Sequence, residues 1–203
     1  MSTKLKIAAA VAAAVLLSAC SSPKHEPMPL VKFTPSMEVT EVWSKGLSSA
    51  EGFLVPAVYD DMVFAAGGKT LTRLNARTGE TEWSVSFNSP ITGGVGSDGY
   101  VTAVGLWDGN LEVVDAEGKV SWEKKLTTEL ASPPVVSHGL VIARTMDTRV
   151  SAFEASSGEL QWTYQRSQPA LTVRLPTRML AHDNFLLVGQ PNGHIVILDI
   201  ASG

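Results

Sequence analysis

Thr78-Gly79-Glu80-Thr81-Glu82-Trp83 is answered 39 residues later by Glu117-Gly118-Lys119-Val120-Ser121-Trp122, and 40 residues after that by Ser157-Gly158-Glu159-Leu160-Gln161-Trp162. Trp43 precedes Trp83 by a further 40. Each Gly is preceded by a matching segment: Leu74-Asn75-Ala76-Arg77, Val114-Asp115-Ala116 and Phe153-Glu154-Ala155-Ser156. A fourth copy, Leu198-Asp199-Ile200-Ala201-Ser202-Gly203, stands at the end of the chain. A constant period of this length marks a repeat architecture. The next Trp is expected near position 207, so the pattern reads as interrupted in mid-repeat.

Within each period the apolar residues come in short runs. The first copy has Val58, then Val63-Phe64-Ala65, the turn Gly67-Gly68-Lys69, Leu71-Thr72-Arg73-Leu74, and Glu82-Trp83-Ser84-Val85. The second has Val101 to Val104, the turn Asp108-Gly109-Asn110, Leu111 to Val114, and Val120-Ser121-Trp122. The third runs Val135-Val136, Leu140 to Ala143, Val150 to Phe153, and Leu160-Gln161-Trp162. The fourth offers Phe185 to Val188, the turn Pro191-Asn192-Gly193, and Ile195 to Leu198. Runs of this length, rich in Val, Ile and Leu and bounded by Gly, Asn and Asp, are short antiparallel strands. No window after residue 37 carries a sustained helical period. Four strands per repeat predict an all-β chain: a β-propeller of four-stranded antiparallel blades, supplied here as three full blades and part of a fourth. One such sheet buries too little to stand alone, so stability must come from sheet-to-sheet interfaces. Trp43, Trp83, Trp122 and Trp162 are read as structural side chains between blades, each large enough to bury about 150–250 Å².

The N-terminus sets the compartment. Lys4 and Lys6 precede an apolar, Ala-rich stretch, Ile7 to Leu17, too short to cross a bilayer and suited to a signal-peptide core. Leu17-Ser18-Ala19-Cys20 then fits the lipobox of bacterial lipoproteins, and Cys20 is the only cysteine. Residues 1–19 are accordingly expected to be a cleaved leader, with Cys20 fatty-acylated on its thiol and amine; more than one acyl chain gives durable anchoring. Ser21 in place of Asp favours sorting to the outer membrane. Residues 20–37 hold Pro23, Pro27, Pro29 and Pro35 and read as an extended tether. Residues 38–203 are the blades. The net charge of −4, with no basic patch, argues against nucleic acid as a partner.

Chemistry is hard to find. Gly68-Lys69-Thr70 resembles the end of a phosphate loop, but Val63 stands where that motif needs Gly. Trp107-Asp108 occurs once, at a different point of the repeat. His25, His138, His182 and His194 are too far apart for a local metal pair, and His138 and His182 are expected in hairpin turns. There is no Gly-x-Ser-x-Gly elbow, and the carboxylates read as scattered singly in turns. No catalytic residue, metal site or cofactor is assigned. The connection from Gln165 to Arg178 is different: Gly158 to Gly203 spans 45 residues against 39 and 40 in the earlier periods. It carries Leu171, Val173 and Leu175 alternating with Thr172 and Arg174. Apolar groups with Arg are the composition of a binding patch; the same composition suits a connection that tucks its apolar groups onto its own blades.

The lipobox, the Pro-rich tether and blades closing in Gly-x-x-x-Trp together resemble the BamB family, lipoproteins of the bacterial outer-membrane β-barrel assembly machinery with quinoprotein-like repeats. The resemblance implies an eight-bladed ring whose N-terminal strand, here about Val39 to Ser44, closes the last blade. It also implies a non-catalytic scaffold, lipid-anchored on the periplasmic face of the outer membrane. Leu171, Val173 and Arg174 match the loop that grips the barrel-forming subunit; a second, acidic contact loop would fall beyond Gly203. Nascent outer-membrane proteins are a further implied partner. Two other functions stay open: a scaffold lipoprotein of another envelope complex, and a quinone-dependent dehydrogenase-like domain, whose relatives resemble proteins with a vicinal Cys pair and a calcium-bound quinone.

Overall fold

A computed structural model describes residues 28–31, 33–34, 36–48, 54–166 and 177–203. The chain divides into two units, Met1–Thr40 and Glu41–Gly203. Among the described residues of the first there is no strand or helix. The second unit holds fifteen strands in four antiparallel sheets, and no helix among its described residues.

The first sheet is β1 (Ala57–Tyr59), β2 (Met62–Gly67), β3 (Thr70–Asn75) and β4 (Thr81–Ser86), paired in chain order. The second is β5 (Ile91–Ser97), β6 (Thr102–Leu106), β7 (Asn110–Val114) and β8 (Val120–Lys125). The third is β9 (Val135–Ser137), β10 (Leu140–Arg144), β11 (Val150–Glu154) and β12 (Leu160–Tyr164). A three-stranded fourth sheet follows, β13 (Leu180–His182), β14 (Phe185–Gly189) and β15 (Ile195–Asp199). The propeller-blade architecture expected from the repeats is therefore present. Ile91–Ser97 and Leu180–His182 are strands that the apolar runs did not announce.

The strands form where short turns bring their ends together. Tyr59 pairs with Met62 across Asp60-Asp61, and Ser137 with Leu140 across His138-Gly139. Asp60 and His138 have φ of 48° and 54°, the left-handed geometry that matches the twist of a tight hairpin. His182, expected in a turn, is instead the last residue of β13 and pairs with Phe185, because Asp183-Asn184 makes the two-residue turn. Between the third and fourth strands the motif residue just before Ala or Ile caps the turn. Asn75 Oδ1 accepts from the N–H groups of Arg77 (2.9 Å) and Thr78 (3.1 Å). Asp115 Oδ1 accepts from those of Glu117 (3.1 Å) and Lys119 (2.8 Å), and Asp199 Oδ1 from those of Ala201 (3.1 Å) and Ser202 (2.9 Å). A bulge recurs at one place in each complete sheet, after the residue paired with the Trp: Arg73, Val113 and Ala152.

The core lies between sheets, not within one. Phe64, Leu71 and Phe87 meet Ile91, Val104 and Leu106 at the first boundary. Leu111 and Val113 meet Val141 and Phe153 at the second, and Ile142, Val150 and Ala152 meet Leu186, Val188 and Leu198 at the third. The middle strands of the second and third sheets are buried along nearly their whole length because each face has its own neighbour.

The last blade of the ring, which the resemblance has the N-terminal strand close, is not among the four sheets described. Residues 39–44 form no strand. No strand among the described residues lies at their edge to complete a ladder, and a β-strand exists only through such pairing. Trp43 nonetheless docks on the first sheet as the later Trp residues dock on theirs.

Candidate functional site

The four Trp side chains do one job four times. Trp43 Nε1 donates to the Ala76 carbonyl (2.8 Å), Trp83 to Ala116 (2.9 Å), Trp122 to Ala155 (2.8 Å) and Trp162 to Ile200 (2.8 Å). Each acceptor belongs to the turn of the next sheet. Each indole lies flat against that turn's glycine: a Cβ built on Gly79, Gly118, Gly158 or Gly203 would come within 2.7–3.0 Å of the ring. All four glycines have φ between 70° and 85°. The Gly-Trp periodicity is therefore an interlock. The Trp of one element covers the glycine of the next, and the indole N–H satisfies a turn carbonyl. Trp83 also makes a tilted ring contact with Phe64 of its own sheet (6.0 Å, 53°), and Trp122 one with Phe153 of the next sheet (6.1 Å, 52°). Each of these side chains thus reaches from its own element to the turn of the next.

Cys20, Leu171, Val173 and Arg174 lie outside the described residues, as do all of residues 167–176. The two roots of that connection are described. At one, Arg166 follows β12 and is exposed. At the other, Thr177 is held twice: Arg144 Nη1 donates to its Oγ1 (2.6 Å), and that hydroxyl donates to the Gly189 carbonyl (3.3 Å). Met179 behind it is buried in the third boundary core. Arg144, at the end of β10, is only 3% exposed, and its Nε has no hydrogen-bond partner. Burial lowers its pKa, since no carboxylate offsets the loss of water. The sequence carries a hint of this clamp. In Leu140–Arg144 a cation ends an otherwise apolar strand, where β2 has Ala66 at the corresponding pairing position.

The carboxylates are not all solitary turn residues. Glu112 on β7 pairs directly with Glu123 on β8. Glu112 is buried and Glu123 exposed. Burial first, then the Glu123 carboxylate opposite and Asp108 nearby, push the Glu112 carboxyl up to about 7. The other complete sheets carry hydroxyl pairs in this place: Thr72 with Ser84 (3.1 Å) and Ser151 with Thr163 (3.2 Å). Single carboxylates inside two apolar runs are legible only once the register sets them side by side. Among the described residues no group of His, Cys, Asp and Glu could hold a metal ion.

A family model described as outer membrane protein assembly factor BamB matches residues 67–203. The outer membrane protein assembly factor BamB of Burkholderia pseudomallei is 37% identical over 201 residues, covering 96% of this chain and 53% of that protein. The chain thus spans about half the length of the curated relatives it matches. Among solved structures, BamB from Moraxella catarrhalis superposes with a TM-score of 0.66 at 28% identity, over 74% of this chain and 46% of that one. A quinohemoprotein alcohol dehydrogenase from Pseudomonas putida HK5 shares the fold alone, with a TM-score of 0.57 at 17% identity over 77% of this chain and 33% of that one. With the family model covering well over half of its length, the chain belongs to the BamB family of outer membrane protein assembly factors.

Proposed function

We propose that this protein is a non-catalytic scaffold in the assembly of outer-membrane proteins, held at the periplasmic face of the outer membrane by acyl chains on Cys20. Residues 1–19 are the removed leader, 20–37 the tether and 38–203 the blades. The connection between the third and fourth sheets carries the partner contact. Leu171 and Val173 fill apolar pockets on the barrel-forming subunit, and Arg174 makes charged hydrogen bonds to an acidic or carbonyl-rich surface beside them. Nascent outer-membrane strands are a second partner, met by addition along exposed strand edges.

The observation that supports this reading best is the clamp on Thr177. A connection longer than its counterparts is rooted by a buried guanidinium in an interlocked stack of sheets. A loop on a rigid base is a familiar way to present a recognition surface. Copurification of the barrel-forming subunit with the full-length protein, wild type against a Leu171→Ala, Arg174→Ala variant, tests it. The variant is expected to recover little subunit at an unchanged level of folded protein. Undiminished recovery refutes the assignment of the connection.

A further inference from the structure

The repeat places a second kind of feature at the sheet boundaries, away from the connection. Two residues after each Trp the chain has Lys45, Val85, Lys124 and Tyr164. Lys124 opens onto a cavity of about 310 Å³ between the second and third sheets, whose wall includes Thr145, Arg149, Ser151, Phe153 and Thr163. Lys45 opens onto one of about 280 Å³ against the first sheet, with Thr70, Thr72 and Ser84 in its wall. The register makes these one slot, built twice. Each has a lysine from the preceding element and a cross-strand hydroxyl pair from the following sheet, Ser151 with Thr163 and Thr72 with Ser84. At the boundary between them both parts change together: Val85 replaces the lysine, and Glu112 with Glu123 replaces the hydroxyls.

The Lys124 slot has binding capacity left over. Lys124 is half-buried, and no hydrogen bond or ion pair engages its ammonium among the described residues. The Nε of Arg149 is buried without a hydrogen-bond partner. Asp147 makes only a long ion pair with it (3.9 Å) and accepts hydrogen bonds from Thr127 (3.0 Å), from Thr145 and from the Arg149 backbone N–H (3.5 Å). In the Ser151–Thr163 pair only one hydroxyl donates to the other, so one hydroxyl hydrogen is always free. The floor is different in kind: Ala143 and Phe153 are buried and apolar. A cation and a spare donor above an apolar floor suit an anionic head on an apolar body. A bare phosphate would leave the floor unused. The volume lies at the low end for small-ligand pockets, room for a body about the size of one aromatic side chain.

We propose that this slot binds a carboxylate carried on an apolar group, with Lys124 and the Ser151–Thr163 pair holding the carboxylate and Phe153 the apolar body. Such a ligand has two sources, a free small acid or the last residue of a peptide chain. Calorimetric titration of the full-length protein with phenylacetate, phenylacetamide, Gly-Gly-Phe and Gly-Gly-Phe amide tests the proposal and separates the sources. Phenylacetate is expected to bind at least about tenfold more tightly than phenylacetamide, the scale of one charge-assisted hydrogen bond. Lys124→Met is expected to abolish that preference while leaving the unfolding temperature unchanged. Tighter binding of Gly-Gly-Phe than of phenylacetate, lost on amidation, assigns the slot to a chain terminus; the reverse order assigns it to a free acid. Equal binding of the acid and the amide overturns the proposal. So does a preference that survives in the Lys45→Met, Lys124→Met double variant. Copurification of the barrel-forming subunit is expected to be untouched by Lys124→Met, so the two readings stand or fall separately.

Discussion

Gly158→Ala tests the interlock most sharply, because the molecule supplies its own control. The new Cβ would lie 2.8 Å from Trp122 Cδ2 and 2.9 Å from Cε3, inside any normal contact, on a backbone with φ of 70°. Gly139 has nearly the same φ, 71°, yet a Cβ there meets nothing within 4 Å. Gly139→Ala therefore reports the left-handed backbone cost alone, about 1–2 kcal/mol. Gly158→Ala adds the cost of pushing Trp122 off the turn, about 1–3 kcal/mol for overpacking. The Trp122 Nε1 bond to the Ala155 carbonyl, about 1 kcal/mol, is put at risk as well. Urea unfolding followed by tryptophan fluorescence measures both variants in the intact protein. Gly158→Ala should lose more stability than Gly139→Ala by at least about 1 kcal/mol, and that excess should vanish when Trp122 is also replaced by Ala. Equal losses at the two glycines, or an excess that persists without the indole, would refute the interlock.

Glu112→Gln should stabilise the protein at pH 8 and change little at pH 4.5. The native carboxyl is raised from 4.5 to about 7, so its favourable protonation is fully present at low pH. That contribution is lost as pH rises through about 7, where the carboxyl ionises against the burial and the Glu123 carboxylate opposite it. Thermal unfolding of both proteins across that range checks it; a gain independent of pH would contradict the assignment. Cys20→Ser should release the protein from membrane fractions and remove the acyl mass from its N-terminus, and mass spectrometry of the membrane-extracted wild type should show that mass on residue 20.

Most of the fold was readable because its determinants are local and repeated. Trp, the turn glycine and the Asn or Asp before it each act within one turn and recur at a fixed interval. Ile91–Ser97 forms no apolar run, because Gly93, Gly94 and Gly96 take up three of its seven positions. The structure explains them as a close approach: a Cβ at Gly93 would meet Leu130 at 2.7 Å, and one at Gly96 the Pro134 carbonyl at 2.0 Å. Such a reason lies in the segment between β8 and β9 and leaves no mark on local periodicity. Arg144 and the Glu112–Glu123 pair were hidden likewise. Their meaning depends on which residue faces them across a boundary or a ladder, and that is a matter of register. The lipobox and the Leu171-to-Arg174 pattern were legible as composition and spacing, which name residue types but not their surroundings.

The central claim, that the protein works by presenting a surface for another protein to hold, is tested most directly by photo-crosslinking in cells. A photoreactive residue is placed at 171 or 173 of the full-length protein, with a control at Tyr100, 72% exposed in the turn between β5 and β6. Covalent adducts with the barrel-forming subunit are expected from 171 and 173 and not from 100. Absence of that adduct at both positions, or the same adducts from all three, would contradict it.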